Sequence, residues 1–223
     1  MDISQFKHTY YINLAERPDR KDETIKELQK IGINNPQRVN AVKYLTGAIG
    51  CALSHLTCLE MAKQQNLDYV LIVEDDITFL NPNLFITQFN KFLNNCNNWD
   101  VVLLSGNNGC PCKIIDDSYV KITRCQTTTG YLVKNHYFDK LIANFKEGVQ
   151  KLIKEPTKRP LYAIDEYWCN LQKVDNWFLI TPLTVVQRPG YSNIENKHTN
   201  YLKMMLNLDK SILPVNFRPT WRK

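Results

Sequence analysis

No stretch of this chain approaches the roughly 18 uninterrupted apolar residues that a membrane-spanning helix needs. The segment from Met1 to Tyr10 carries Asp2, Lys7 and His8 where a secretion signal needs an apolar centre. The expected compartment is therefore cytoplasmic. A disulfide framework is also missing. The seven cysteines, Cys51, Cys58, Cys96, Cys110, Cys112, Cys125 and Cys169, are odd in number and irregularly spaced, which fits reduced thiols. Cys110-Pro111-Cys112 has no second pair or His at zinc spacing, so a structural zinc is not expected. No repeat, low-complexity run or Gly/Ser/Pro-rich linker divides the chain, and a single domain over residues 1–223 is expected. No nucleic-acid-binding motif is present, and nucleic acid is not expected as a partner.

What the chain does have is an ordinary globular composition, 43% hydrophobic and 22% charged, with enough length to bury a sizeable core. The net charge of +6 is unevenly placed. Residues 197–223 hold six basic side chains against Asp209 alone, a net +5. Such a basic tail suits weak contact with an anionic membrane or an acidic acceptor, and equally a solvated end.

Hydrophobic periodicity alternates between strand and helix in the first half. His8 to Leu14 reads as a strand. Pro18 opens a helix carrying Ile25, Leu28 and Ile31 to a Gly32 cap. A short strand is expected from Arg38 to Val42, then a helix from Gly47 and Gly50 to Asn66. Further strands are expected at Tyr69–Val73, Asp100–Ser105, Thr127–Val133 and Trp177–Ile180, with a hairpin turning at Asp116-Asp117-Ser118. Helices are expected after Asn81, around Phe138 to Phe145, and from an N-capping Asp165 to about Lys173. The pattern predicts an α/β fold with a mixed central sheet.

One strand carries the chemistry. Tyr69-Val70-Leu71-Ile72-Val73 reads as buried on both faces, and it ends in Glu74-Asp75-Asp76. Three adjacent carboxylates raise one another's pKa, and a divalent cation is one way to keep them ionised. Oxygen-only ligands suit Mg²⁺ or Mn²⁺ bound together with substrate phosphates. The plainer reading is a solvated acidic turn.

Four stretches, taken in order, resemble glycosyltransferase family 25. They are Ile12-Asn13-Leu14 with Arg17 and Arg20, Gly50-Cys51-Ala52-Leu53-Ser54-His55, Val73-Glu74-Asp75-Asp76, and Ile164-Asp165-Glu166-Tyr167. Gly130-Tyr131-Leu132-Val133 is a softer match, as is Pro182-Leu183 leading through Gln187 to Ser192-Asn193-Ile194. The family includes bacterial lipopolysaccharide sugar transferases and procollagen galactosyltransferases. The resemblance implies a GT-A-like nucleotide-sugar-binding sandwich, a UDP-sugar donor and a Mn²⁺ or Mg²⁺ ion. Asp76 then resembles the main metal ligand, with Glu74 and the late His198 as further candidates. Asn13, Arg17, Arg20, Gly47, Gly50, His55, Glu74 and Asp75 would serve the donor. Inversion at the anomeric carbon calls for one base, for which Asp165 is the first choice and Glu166 the substitute. Asn193 stands where many relatives carry aspartate, which weakens a charge-based role there.

The implied activity is transfer of galactose or glucose to a hydroxyl on a glycan or a hydroxylysine-type, collagen-like acceptor. Two other readings remain open at this point: a nucleotidyltransferase using paired carboxylates, and a module that binds a nucleotide sugar without turnover. The sequence does not select the oligomeric state.

Overall fold

A computed structural model describes residues 2–210 apart from 4, 5, 110, 111, 193 and 196. Asn193, the first two residues of the Cys110-Pro111-Cys112 run and the tail beyond Lys210 therefore lie outside the described residues.

The chain runs β1 (Thr9–Asn13), α1 (Pro18–Gln29), β2 (Gln37–Asn40), α2 (Gly47–Gln64), β3 (Tyr69–Glu74), β4 (Ile77–Phe79), α3 (Pro82–Asn95) and β5 (Val101–Leu103). It continues through β6 (Asn107–Asn108), β7 (Lys113–Ile114), β8 (Tyr119–Lys121), β9 (Cys125–Gln126), β10 (Gly130–Lys134) and α4 (Phe138–Lys154). Then follow α5 (Arg159–Tyr162), α6 (Ile164–Tyr167), α7 (Cys169–Gln172), β11 (Trp177–Ile180), β12 (Val185–Gln187), β13 (Gly190–Ser192), β14 (Lys197–Thr199) and α8 (Leu202–Met205).

Eight strands form one mixed sheet in the order β2-β1-β3-β10-β5-β11-β8-β7. Alternation along each strand feeds two cores. Val70 and Ile72 of β3 point to one face, packed against Ala52, Leu56 and Leu59 of α2 and Leu141 and Phe145 of α4. Leu71 and Val73 point to the other, packed with Leu28 of α1 and Phe85, Phe89 and Phe92 of α3. The acidic strand is thus interior and buried on both faces, as its unbroken apolar run predicts. No helix among the described residues is long and apolar enough to cross a membrane.

The connections fix where a ligand can enter. Strands β1 and β2 run parallel, as do β1 and β3. Because α1 covers one face of the sheet and α2 the other, the carboxyl ends of β1 and β3 flank a crevice where the chain changes direction, the usual binding place in an open α/β sheet.

Several elements differ from the sequence reading. The strand expected at Thr127 begins at Gly130, because Thr127 takes a left-handed φ of 75° that breaks regular pairing. The helix expected from Asp165 to Lys173 is two short turns, α6 and α7. Asp165 lies inside the first turn rather than at the N-cap, which is Ala163. The described start of the basic tail is part of the fold: β14 pairs with β13, and Lys210 is buried, its ammonium donating to the carbonyls of Met204 and Asn207. Strands β4 and β12 each have three residues and pair across 108 residues of chain, which no local periodicity reveals.

Candidate active site

Each of the three carboxylates at the end of β3 meets a different environment. Glu74 is fully engaged. Its Oε1 accepts from Thr128 Oγ1 at 2.5 Å, lies 3.2 Å from His55 Nε2 and 3.8 Å from Cys51 Sγ, and its Oε2 accepts from Gln187 Nε2 at 3.1 Å. Burial works against its ionisation, but the hydrogen bond and charge of His55, with Thr128 and Gln187, outweigh that and hold the carboxyl below its ordinary value.

Asp75 is clamped, with Oδ2 accepting from Asn13 Nδ2 at 2.8 Å and Oδ1 from Arg20 Nη1 at 2.9 Å. Register explains the first contact: Ile12 pairs with Glu74, so the next residues on β1 and β3 sit side by side. Arg38 reaches across from β2 to hold Asn13, donating to its side-chain and backbone oxygens at 3.0 and 3.1 Å.

Asp76 is the exception. Its Oδ1 is buried without a hydrogen-bond partner among the described residues, and its Oδ2 lies 4.0 Å from Arg20. Burial, then the charges of Glu74 and Asp75, push its carboxyl up to about 8 against the opposing Arg20 and Arg188. An orphaned oxygen in an acidic cluster costs free energy unless something cationic faces it. Oxygen donors of this kind fit Mn²⁺ or Mg²⁺, and Asp76 has the open ligand atom.

Two cavities meet at Glu74. The larger, about 450 Å³, fills the crevice at the ends of β1 and β3; Asn13, Arg17, Arg20, Gly47, His55 and the acidic turn line it, and the loop Ala41–Leu45 walls one side. The smaller, about 410 Å³, lies toward α5 and α6 and contains Asp165, Glu166, Thr127, Thr128 and Arg159. Cys51, Glu74, Gln187, Ser192, Ile194 and Tyr201 belong to both walls.

On that second side, Asp165 Oδ2 accepts from the backbone N–H of Thr127 at 3.1 Å. Burial is the main cause of its raised pKa, with the Thr127 hydrogen bond opposing and the charge of Glu74 adding to the rise. The lowered pKa of a helix-capping aspartate therefore does not apply here. Glu166 is more heavily tied, to Arg124 Nη2 at 2.6 Å and to Gln126 Nε2. Burial and then Asp165 raise its carboxyl, while Arg124 and Gln126 pull it down.

The remaining sequence candidates divide. Arg20 reaches the acidic turn, whereas Arg17 closes on Asp19 with contacts of 3.0 and 2.7 Å. Gly50 serves packing: a Cβ there would lie 2.5 Å from the carbonyl oxygen of Val42. His55 is 1% exposed, with Nδ1 2.9 Å from Tyr131 Oη. His198 is not brought to the carboxylates; it sits exposed on β14 against the Tyr191 ring and lines neither cavity.

Sequence reasoning gave no role to Thr128, Gln187 or Arg188. Arg188 straps the acidic turn, its backbone N–H donating to Asp76 O at 2.7 Å and its Nη2 to Asp75 O at 3.0 Å. Both Gln187 and Arg188 arrive through the pairing of β12 with β4, where Gln187 stands opposite Ile77. The one signal was the softer match running through Gln187.

Residues 34–168 match the model of glycosyltransferase family 25, described as an LPS biosynthesis protein family. The chain belongs to glycosyltransferase family 25. The match takes in α2, the acidic turn and Asp165, so the smaller cavity of this family 25 chain is built largely from it, while the larger also draws on β1, α1 and the residues after β12. Among similar proteins, the procollagen lysyl hydroxylase and glycosyltransferase of Acanthamoeba polyphaga mimivirus is 24% identical over 95% of this chain and 29% of its own length. A glycosyltransferase 25 family member from Aedes aegypti is 24% identical over 72% of this chain and 30% of its own. The family 25 chain thus spans less than a third of the length of these relatives. Among solved structures, a glycosyltransferase involved in glycosylation of the major capsid of PBCV-1 aligns over 78% of this chain and 92% of its own, at 11% identity and a TM-score of 0.42.

Proposed function

We propose that this family 25 chain is a metal-dependent, inverting glycosyltransferase that moves a hexose, galactose or glucose, from a UDP-sugar to an acceptor hydroxyl. The carrying observation is the junction at Glu74, with a cavity of arginines and an acidic turn on one side and the half-buried carboxylate of Asp165 on the other.

On the donor side, Arg20 and Arg188 supply cationic groups beside the acidic turn, suited to a diphosphate. Asp76 would hold Mn²⁺ or Mg²⁺, whose chemistry there is to offset the negative charge that develops on the leaving nucleotide. Asn13 and Arg20 keep Asp75 fixed, so the turn is organised before the donor arrives. Glu74, with both oxygens engaged, forms the wall between donor and acceptor rather than an open ligand. On the acceptor side, Asp165 takes the proton from the acceptor hydroxyl as it attacks the anomeric carbon. Its raised pKa, caused chiefly by burial, brings it closer to neutral pH, as a general base requires. Glu166, held by Arg124 and Gln126, orients the loop that carries Thr127.

The acceptor reading is a glycan or a collagen-like chain, since both occur among family 25 proteins. The deciding experiment is a donor screen with Mn²⁺ that measures UDP release with and without candidate acceptors. Acceptor-stimulated UDP release from a UDP-hexose is expected. Pyrophosphate release would replace this reading with a nucleotidyltransferase, and donor binding without release would leave a binding module.

A further inference from the structure

Beneath the junction of the two cavities, three side chains of different chemistry converge on one point. Cys51 and His55 are four residues apart on α2 and so lie one turn apart on the same face. The Cys51 Sγ and His55 Nε2 lie 3.8 and 3.2 Å from the same atom, Glu74 Oε1, and all three donor atoms fall within 4.8 Å of one another. Tetrahedral zinc holds sulfur at about 2.3 Å and nitrogen or oxygen at about 2.0–2.2 Å, which sets neighbouring ligand atoms roughly 3.3–3.7 Å apart. Both edges to Glu74 are within a few tenths of an ångström of that spacing. The far side of the imidazole is already anchored, with Nδ1 2.9 Å from the fully buried Tyr131 hydroxyl, the kind of outer contact that orients a metal-binding histidine.

We propose that Cys51, His55 and Glu74 form a binding site for a thiophilic divalent cation, Zn²⁺, separate from the oxygen site at Asp76. Sulfur and imidazole donors select zinc over Mn²⁺ or Mg²⁺, and the carboxylates of the acidic turn make the opposite choice. Zinc takes the Nε2 lone pair of the neutral His55 ring, whose single hydrogen is then on Nδ1, and the Cys51 thiol gives up its proton to solvent. The imidazole then keeps its hydrogen on Nδ1, donated to the Tyr131 oxygen. Because Cys51 and Glu74 line both cavities, the fourth zinc position faces them and is open to water. Zinc on Glu74 Oε1 competes with the Thr128 hydroxyl for that oxygen, and so alters the wall between the cavities. The resulting loss of turnover rests on the proposed transferase reading, whereas zinc binding itself does not.

The test uses Co²⁺ as a spectroscopic probe on the intact, reduced protein without Mn²⁺. A thiolate-to-cobalt charge-transfer band is expected that saturates, is erased by Zn²⁺, persists in Asp76→Ala and is absent in Cys51→Ser. Tyr131→Phe should weaken Co²⁺ binding about tenfold, through the lost outer contact. Absence of the band from the wild-type protein overturns the proposal, as does a band unchanged in Cys51→Ser, which would belong to another cysteine. A second measurement needs no variant: Zn²⁺ protection of Cys51 against alkylation, followed by peptide mass spectrometry, should track the cobalt occupancy. An unchanged alkylation rate overturns the site. Zinc that fills the site without lowering UDP release overturns only the link to turnover, and the donor screen then judges the transferase reading on its own.

Discussion

On one side of Glu74 the cavity gathers Arg20 and Arg188 around the acidic turn; on the other, Asp165 accepts from the Thr127 backbone N–H in a second cavity. Both walls use carboxylates, yet their surroundings differ in kind. Around the acidic turn, charge is offset by Arg20 from α1 and by Arg188 beyond the β12–β4 pairing, which on the proposed reading organises these acids for the donor. Around Asp165 burial outweighs the Thr127 hydrogen bond and the charge of Arg159 and raises its pKa, which on the proposed reading suits an acid that accepts a proton. On the proposed reading, the two environments on either side of Glu74 would divide binding from chemistry.

The largest effect expected from breaking this contrast is on the donor side. Asp76→Ala removes the only acidic-turn carboxylate whose oxygen is unpartnered among the described residues, and UDP release should fall on the order of 10³-fold while the protein stays folded. Activity retained in a metal chelator would remove the metal from the mechanism. Asp165→Asn should lower turnover by about 10²-fold or more and leave donor binding intact, since an amide cannot take the acceptor proton but can still accept from Thr127 N–H. Near-normal turnover would move the base to Glu166. Together the two variants separate binding from chemistry: the first should raise the donor dissociation constant, the second should not.

The two regions were unequally legible in the sequence. The acidic strand declared itself, because an unbroken apolar run followed by three acids has few structural solutions, and β3 is interior as expected. Arg20 and Asn13 were also readable, being local to β1 and α1. Gln187, Arg188 and Thr128 were not, because they reach Glu74 and the turn through long-range pairing, and a three-residue strand carries too little periodicity to detect. Asp165 was misplaced as an N-cap, a position that Ala163 holds. An aspartate before a helical run looks the same whether it caps the helix or points into a cavity, and only burial separates the two.

A third perturbation tests the wall of the donor cavity. Gly50 lets α2 approach the loop that carries Val42 and Tyr44, and a methyl group would meet backbone atoms at 2.5 and 3.3 Å. Gly50→Ala should therefore destabilise the protein by about 1–3 kcal/mol, visible as a lower melting temperature, because backbone cannot swing aside as a flexible side chain can. An unchanged melting temperature would show that the loop yields freely.

The pH dependence of stability in a chelator probes Asp76 directly. Its carboxyl sits at about 8 in the folded protein against an ordinary 3.8, so between these values the folded state binds more protons than the unfolded chain. Its contribution to stability is full below about 4 and is lost as pH rises through about 8. The melting temperature should fall across that window in chelator. Mn²⁺ should reduce the fall, and Asp76→Asn should flatten it. A slope that Asp76→Asn leaves unchanged would assign it to other buried acids.

The smallest expected effect distinguishes Arg17, at the N-cap of α1, from Arg20 in its first turn. Arg20 donates to Asp75 at 2.9 Å and to the Tyr191 carbonyl at 2.9 Å, tying the acidic turn to the β13 hairpin. Arg17 instead pairs with Asp19, which is more than half exposed. An exposed pair of that kind contributes roughly 0–1 kcal/mol, so Arg17→Ala should change the donor Michaelis constant by less than about fivefold. Arg20→Ala should change it more, since it frees an acid beside Asp76 whose clamp is charge-assisted on one side only. The reverse ranking in donor titrations would mean that Arg17 leaves Asp19 for the donor phosphates, and the cationic wall of the donor cavity would then be assembled by the ligand rather than by the fold.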